Sequence, residues 1–306
     1  MLRYALTKLA LLVPLLLGVC LVVFVIGAAT PGDPVQMMLG EGAPSAEVER
    51  LRARLGLDLP WYLQYVHFVG RAVRGDLGLS YRSKLPVFGE VMDRFPATLE
   101  LTTAAMAFAV IFGLALGVLA ALGHNTVLDR LAMLLALVGS SAPVFWSGLL
   151  LILLFALTLG WLPASGRGSP PQLVLPALAL GLGSAALIAR LTRSSMLEAL
   201  SQDYIRTARA KGLAERAVVV RHALRNGLIP VTAAIGLQVG GLLAGAVLTE
   251  TVFAWPGLGR LTVQAIEQRD FPVLRGALLL VAITFTLVNL ALDFLFAYLD
   301  PRIRYR

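Results

Sequence analysis

The sequence predicts an all-α integral membrane protein: six spanning helices, a folded insert after the first, and a polar, basic loop between the fourth and fifth. Three observations carry this reading. Hydrophobic residues make up 58% of the 306-residue chain and charged ones only 14%, with a mean hydropathy of +0.80, too apolar for an ordinary soluble domain. Six stretches are long and apolar enough for a bilayer core of about 30 Å, which takes roughly 20 helical residues to cross. Between two of them stands "SQDYIRTARAKGLAERAVVVRHALRNGLIP", Ser201 to Pro230, polar and rich in arginine.

The stretches run Leu9–Ala29, Leu99–Leu122, Leu131–Leu159, Leu173–Ala189, Leu228–Leu248 and Val273–Tyr298. The first is longer than the roughly 7–15 apolar residues of a signal-peptide core, so it reads as a retained anchor despite the small residues of "IGAA" near its end. Basic residues set the orientation. Arg3, Lys8, Arg130, the run from Arg190 through Arg225, and Arg302, Arg304 and Arg306 fall on one side if the N-terminus is inside. Flipping the chain would place its densest basic loop outside, against the positive-inside bias, so both termini are expected in the cytoplasm. The net charge of +8 is accounted for in the same way and needs no nucleic-acid partner. Cys20 is the only cysteine, which rules out an intrachain disulfide.

Residues 1–29 are thus the cytoplasmic start and first span, 30–96 an external insert, and 97–306 a core of five spans with a cytoplasmic loop at 190–228. The insert carries basic and acidic residues in equal number and is expected to fold. Val48, Leu51 and Leu55 share a helical face that Gly56 would stop. Trp61, Tyr62, Tyr65, Phe68 and Val69 form a second amphipathic stripe, suited to the outer headgroup level, to packing against the spans or to an external partner.

Chemistry is sparse. No GxxxxGK[ST] loop, HExxH, CxxC or GxSxG occurs, and His67, His124 and His222 are widely separated, so neither a catalytic nor a metal site is expected. Charges inside spans cost roughly 2.5–3.5 kcal/mol each at mid-bilayer and are therefore informative. Asp293, four residues after Asn289, reads as a local ion pair near the cytoplasmic end of the last span. Glu250 closes the fifth span, either paired with Arg260 or lining a path. Gln238 and the small residues from Gly240 to Glu250 fit either close helix packing or a translocation path.

In the basic loop, Leu197, Leu200, Tyr204 and Ala208 step by three and four, predicting a short amphipathic helix outside the bilayer. Its other face carries Asp203, Arg206, Arg209 and Lys211. Ala208 and Gly212 are small enough for a close-fitting partner, and Gly212 is a natural helix end. A second helix, Glu215–Arg225, leads into the fifth span, with Pro230 near the span's start. Two helices and a glycine exceed what a topology signal needs; the loop reads as a docking element.

At these residues the chain resembles the binding-protein-dependent ABC transporter permeases, in the branch that handles dipeptides, oligopeptides, glutathione and nickel. The resemblance runs through "PGDP" (Pro31–Pro34), "LGLD" (Leu55–Asp58), "GDLGLS" (Gly75–Ser80), "FPATLELT" (Phe95–Thr102), "FAWPGLGR" (Phe253–Arg260), "RDFPV" (Arg269–Val273) and the tail "LDPRIRYR". The family's cytoplasmic signature, Glu-Ala-Ala, then Gly, then Ile-x-Leu-Pro, falls on Arg206, Thr207, Ala208 and Gly212, with "GLIP" ending at Pro230. Arg206 stands where the general signature has Glu, and Pro230 lies further from Gly212 than usual.

The resemblance implies a type I ABC importer permease of the bacterial inner membrane. Asp203, Arg206, Thr207, Ala208 and Gly212 would couple to an ATPase, and Gln238 and Glu250 would be candidates for the path. The implied partners are a second, paralogous permease, two ATPase domains that bind ATP and magnesium, and an external substrate-binding protein. The cargo expected is small peptides or glutathione, with nickel the alternative. An ion-coupled secondary transporter would work without an ATPase, and a receptor or scaffold would bind without transporting.

Overall fold

In the computed structural model the described residues are 2–29, 34–40 and 42–299. Pro31–Asp33 and the tail with Arg302, Arg304 and Arg306 lie outside them, as do the side chains of Arg3, Lys8 and Asp293. The helices are α1 (Leu2–Ala29), α2 (Pro34–Leu39), α3 (Ser45–Leu55), α4 (Trp61–Val73), α5 (Val87–Leu122), α6 (Val127–Ser141), α7 (Val144–Leu151), α8 (Pro170–Ser201), α9 (Asp203–Ala210), α10 (Glu215–Ala217), α11 (Leu224–Val252), α12 (Leu258–Glu267) and α13 (Phe271–Leu299). Wider π-helical turns extend α7 over Ile152–Thr158 and join α10 to α11 over Val218–Ala223. Among the described residues the only β feature is an isolated bridge between Leu79 and Pro86.

Four of the six expected spans are single apolar helices of crossing length: Val87–Leu122, Pro170–Ser201, Glu215–Val252 and Phe271–Leu292. The first expected span corresponds to α1, with its apolar stretch at Ala10–Ile26. The third is not one helix. α6 and α7 meet at a 111° bend, where Ala142 is extended (φ −79°, ψ 129°). A residue before proline is pushed out of the helical region, and Pro143 follows directly.

The basic loop is also shorter than 190–228. Nothing in "ARLTRSSMLEAL" breaks a helix, so α8 continues through Arg190 and Arg193 to Ser201 and takes Leu197 and Leu200 with it. Extended Gln202 (ψ 151°) then separates α8 from α9, leaving Tyr204 and Ala208 on a different helix from Leu197. Glu215 begins the helical run into the fifth span, so Pro230 sits inside that helix and not at its start. Its missing N–H leaves one carbonyl a turn earlier without its helical donor.

Contacts divide the chain into two compact units: residues 1–97 with 256–306, and residues 98–255. In the first, α1 packs along α13, and Val87, Val91, Leu258, Phe271 and Ala277 form a shared core. α3 ends as expected at Gly56, whose φ of +67° and N–H bond to the Ala53 carbonyl terminate it. In the second unit α8 packs against α6, α7 and α11. It also meets α5 closely enough that a Cβ on Gly113 would lie 2.8 Å from the Ala185 carbonyl oxygen, and one on Gly117 2.5 Å from that of Ala189. This Gly-x-x-x-Gly seam, which lets two backbones touch in lipid, has its local signal in "GLALG", which a count of apolar residues passes over.

Candidate functional site

α9 is held by one face and exposed on the other. Ile205 and Ala208 are buried with Met196 and Ala199 of α8, Ala121 of α5, and Val218, Val219 and Ala223 of the π turn. Asp203, Arg206, Thr207 and Ala210 point outward, and Tyr204 is 39% exposed. The helix stops in a full Schellman arrangement. Gly212 N–H donates to the Arg209 carbonyl and Leu213 N–H to that of Ala208, with Gly212 at φ +78°. A Cβ on Gly212 would meet nothing within 4 Å, so glycine serves the backbone angle there and not a tight contact. Ala208 is small for a related reason: its neighbours belong to its own chain.

Two ion pairs stiffen the surroundings. Arg206 reaches Asp203 at 3.4 Å on the open surface, where such a pair contributes little. Arg209 donates to both carboxylate oxygens of Glu215, at 3.1 and 2.6 Å, tying α9 to α10.

At the start of α6, Asp129 is almost fully buried and accepts from Arg193 Nε and Nη2 at 2.6 and 2.7 Å, and from Asn125 N–H at 3.0 Å. This bidentate pair fixes the α6 entry on α8, more than two turns before α9. The expectations used Arg193 only as a topology charge and omitted Asp129, its partner 64 residues away.

The path candidates both engage neighbouring helices. Gln238 Nε2 donates to Ser184 Oγ on α8 at 2.9 Å. Glu250 is fully buried and accepts from Thr98 Oγ1 on α5 at 2.6 Å. After it the chain turns sharply: Trp255 N–H returns to the Glu250 carbonyl at 2.8 Å, with Ala254 at φ +49° and Phe253 and Trp255 buried. Asn289 caps locally onto the Phe285 carbonyl at 2.8 Å.

In the other unit the motif fragments meet. Asp270 of "RDFPV" accepts Ser80 Oγ of "GDLGLS" at 2.5 Å and the Tyr81 and Arg82 N–H groups at 3.2 and 3.3 Å. A buried carboxylate thus folds the turn before α5. A pocket of about 270 Å³ adjoins it, lined by Ser83, Glu90, Gln264 and Gln268. Among the described residues no cluster of His, Cys, Asp or Glu could hold a metal.

A chain of apolar helices, with one short helix packed on its own core and charged on its free face, has the build of a multi-pass membrane protein. It belongs to the family of binding-protein-dependent transport system inner membrane components, whose model matches residues 113–305, with the corresponding N-terminal model matching 1–102. It is 47% identical, over 306 residues and the whole of both chains, to the glutathione transport system permease protein GsiC of Escherichia coli (strain K12). It is 44% identical, again over the whole of both chains, to the dipeptide transport system permease protein DppB of Alkalihalophilus pseudofirmus. Its fold is similar to that of the MetNI methionine ABC transporter in an inward-facing conformation: TM-score 0.60, 22% identity, 69% of this chain and 96% of that one. Membership in the family makes the chain a transport subunit of the inner membrane that works with an ATPase and a substrate-binding partner.

Proposed function

We propose that the chain is one of two permease subunits of an ATP-driven importer for small peptides, glutathione included. The observation that carries the coupling half is α9, buried at Ile205 and Ala208 and charged on its outward face. The cargo half rests on the two full-length relatives, whose names specify glutathione and dipeptides. In this reading the second permease is a paralogue and two ATPase domains bind ATP and magnesium. A binding protein delivers cargo from outside, and Asp203, Arg206 and Thr207 form the outward face that follows ATPase closure, on a helix that Ala208 and Gly212 hold in place. Linkage is reciprocal, so loaded binding protein also biases the ATPases toward closure. The test is ATP-dependent uptake by the complete transporter in proteoliposomes, with labelled glutathione, a dipeptide and nickel offered separately. Uptake of nickel alone, or uptake without the ATPase, would overturn it.

The distribution of basic residues supports six spans with both termini in the cytoplasm. On a Cys20→Ser background, Lys84→Cys is expected to react with an impermeant thiol reagent in intact cells and Lys211→Cys is not; the reverse pattern refutes this topology.

Gln238 and Glu250 are proposed for the translocation path, with span packing as the alternative reading of their bonds to Ser184 and Thr98. Hydrogen bonds between spans contribute only about 0.6–2 kcal/mol, so Gln238→Ala should reduce transport while leaving most of the complex assembled. Equal loss of both on purification and uptake would make Gln238 a packing residue.

A further inference from the structure

We propose that α4 is a membrane-bound element of the insert, lying in one leaflet beside α1 with a face of its own against lipid. Three observations on α4 support this. First, at 13 residues it spans roughly 20 Å, short of the bilayer core, yet it is apolar around more than half its circumference. Second, only part of that apolar arc is used by protein. Tyr65 donates its hydroxyl to the Leu17 carbonyl of α1 at 2.7 Å, and the Tyr65 and Phe68 rings sit 5.8 and 6.2 Å from that of Phe24. The remainder stands open, with Trp61 65%, Tyr62 53%, Val66 61% and Val73 83% exposed. Third, α4 meets α1 at Leu17 and Phe24, within the apolar stretch Ala10–Ile26, where Leu21, Val22 and Val25 are also exposed.

The polar edge of α4 favours lipid over a protein partner. Gln64 is turned back onto the Leu59 carbonyl at 2.8 Å, and Arg71 is tied to Asp76 at 2.9 Å. What is left is an apolar surface carrying an indole N–H and a phenol, with the exposed His67 on its polar edge, the pattern that settles at the water–lipid boundary. The inference holds whatever the transporter carries.

The test uses the intact transporter in proteoliposomes containing a phosphatidylcholine with a diazirine on its acyl chain. After irradiation and trypsin, the peptide from Leu55 to Arg71 is sequenced by mass spectrometry. Adducts are expected on Tyr62, Leu63 and Val66 and not on Gln64 or His67. If α1 is labelled and this peptide is not, the proposal fails. If its labelling is lost when the external binding protein is added, the face belongs to that protein and the proposal fails equally.

Discussion

Ala208→Trp is expected to leave the chain in the membrane while releasing the ATPase or uncoupling hydrolysis from transport. Ala208 is 6% exposed and packed by Ile205, Met196, Val218 and Val219. An indole cannot enter that space, and overpacking typically costs about 1–3 kcal/mol. The strain falls on α9, an eight-residue helix held by one face, so the helix should lift off its own chain and present a misplaced face to its partner. A shift of about 1.4 kcal/mol is already tenfold in an equilibrium constant. Arg206→Ala, which removes only an exposed ion pair, should do less, since such pairs contribute under about 1 kcal/mol. Co-purification of the ATPase and substrate-stimulated hydrolysis, measured for both variants beside the parent, decide it. An Ala208→Trp transporter that assembles and couples normally would reduce this loop to a topology signal.

Gly117→Leu is expected to do greater damage, to the bundle itself. A Cβ at Gly117 would lie 2.5 Å from the Ala189 carbonyl oxygen and 2.6 Å from Thr192 Cβ. The nearest of these is backbone, which cannot swing aside as a flexible side chain can, so α5 and α8 must separate. A Cβ on Gly181 of α8 would in turn lie 2.7 Å from the Ala105 carbonyl oxygen, so the seam is tight over several turns. The loss should reach or exceed the upper end of the usual overpacking range, about 3 kcal/mol, and remove most properly assembled complex. Gly241→Leu is the control, since nothing lies within 4 Å of a Cβ there. Monodisperse yield after detergent extraction compares the two; similar yields would mean that α5 and α8 do not need this contact.

Local signals in the chain were legible and distant ones were not. Gly56 and Gly212 could be read as stops because a left-handed backbone angle follows from neighbouring residues alone. The apolar lengths located the spans because lipid imposes that length. Asp129 and Arg193, or Ser80 and Asp270, could not be paired by inspection: their separations are 64 and 190 residues, and only packing brings them together. The break in the third span had a local signal in Pro143, which a count of apolar residues overlooks. Ala208 is the instructive case. Its small size pointed to a close-fitting partner, but size alone does not say which surface requires it, and the structure shows the chain's own core packed around it.

α9 is fixed at both ends, by extended Gln202 before it and by Gly212 after it, with eight residues between. Each residue of a helix advances its direction by roughly 100°. Adding or deleting one residue within α9 would therefore turn everything beyond that point by more than a quarter revolution. Charged groups would be carried into the pocket of Val218 and Val219, and apolar ones out of it. The element thus behaves like a key cut to a set number of teeth: side chains on its free face can be exchanged with modest effect, but its residue count cannot. Epitope tags or fluorescent insertions aimed at this loop belong after Gly212, where the helix has already ended, and not within it.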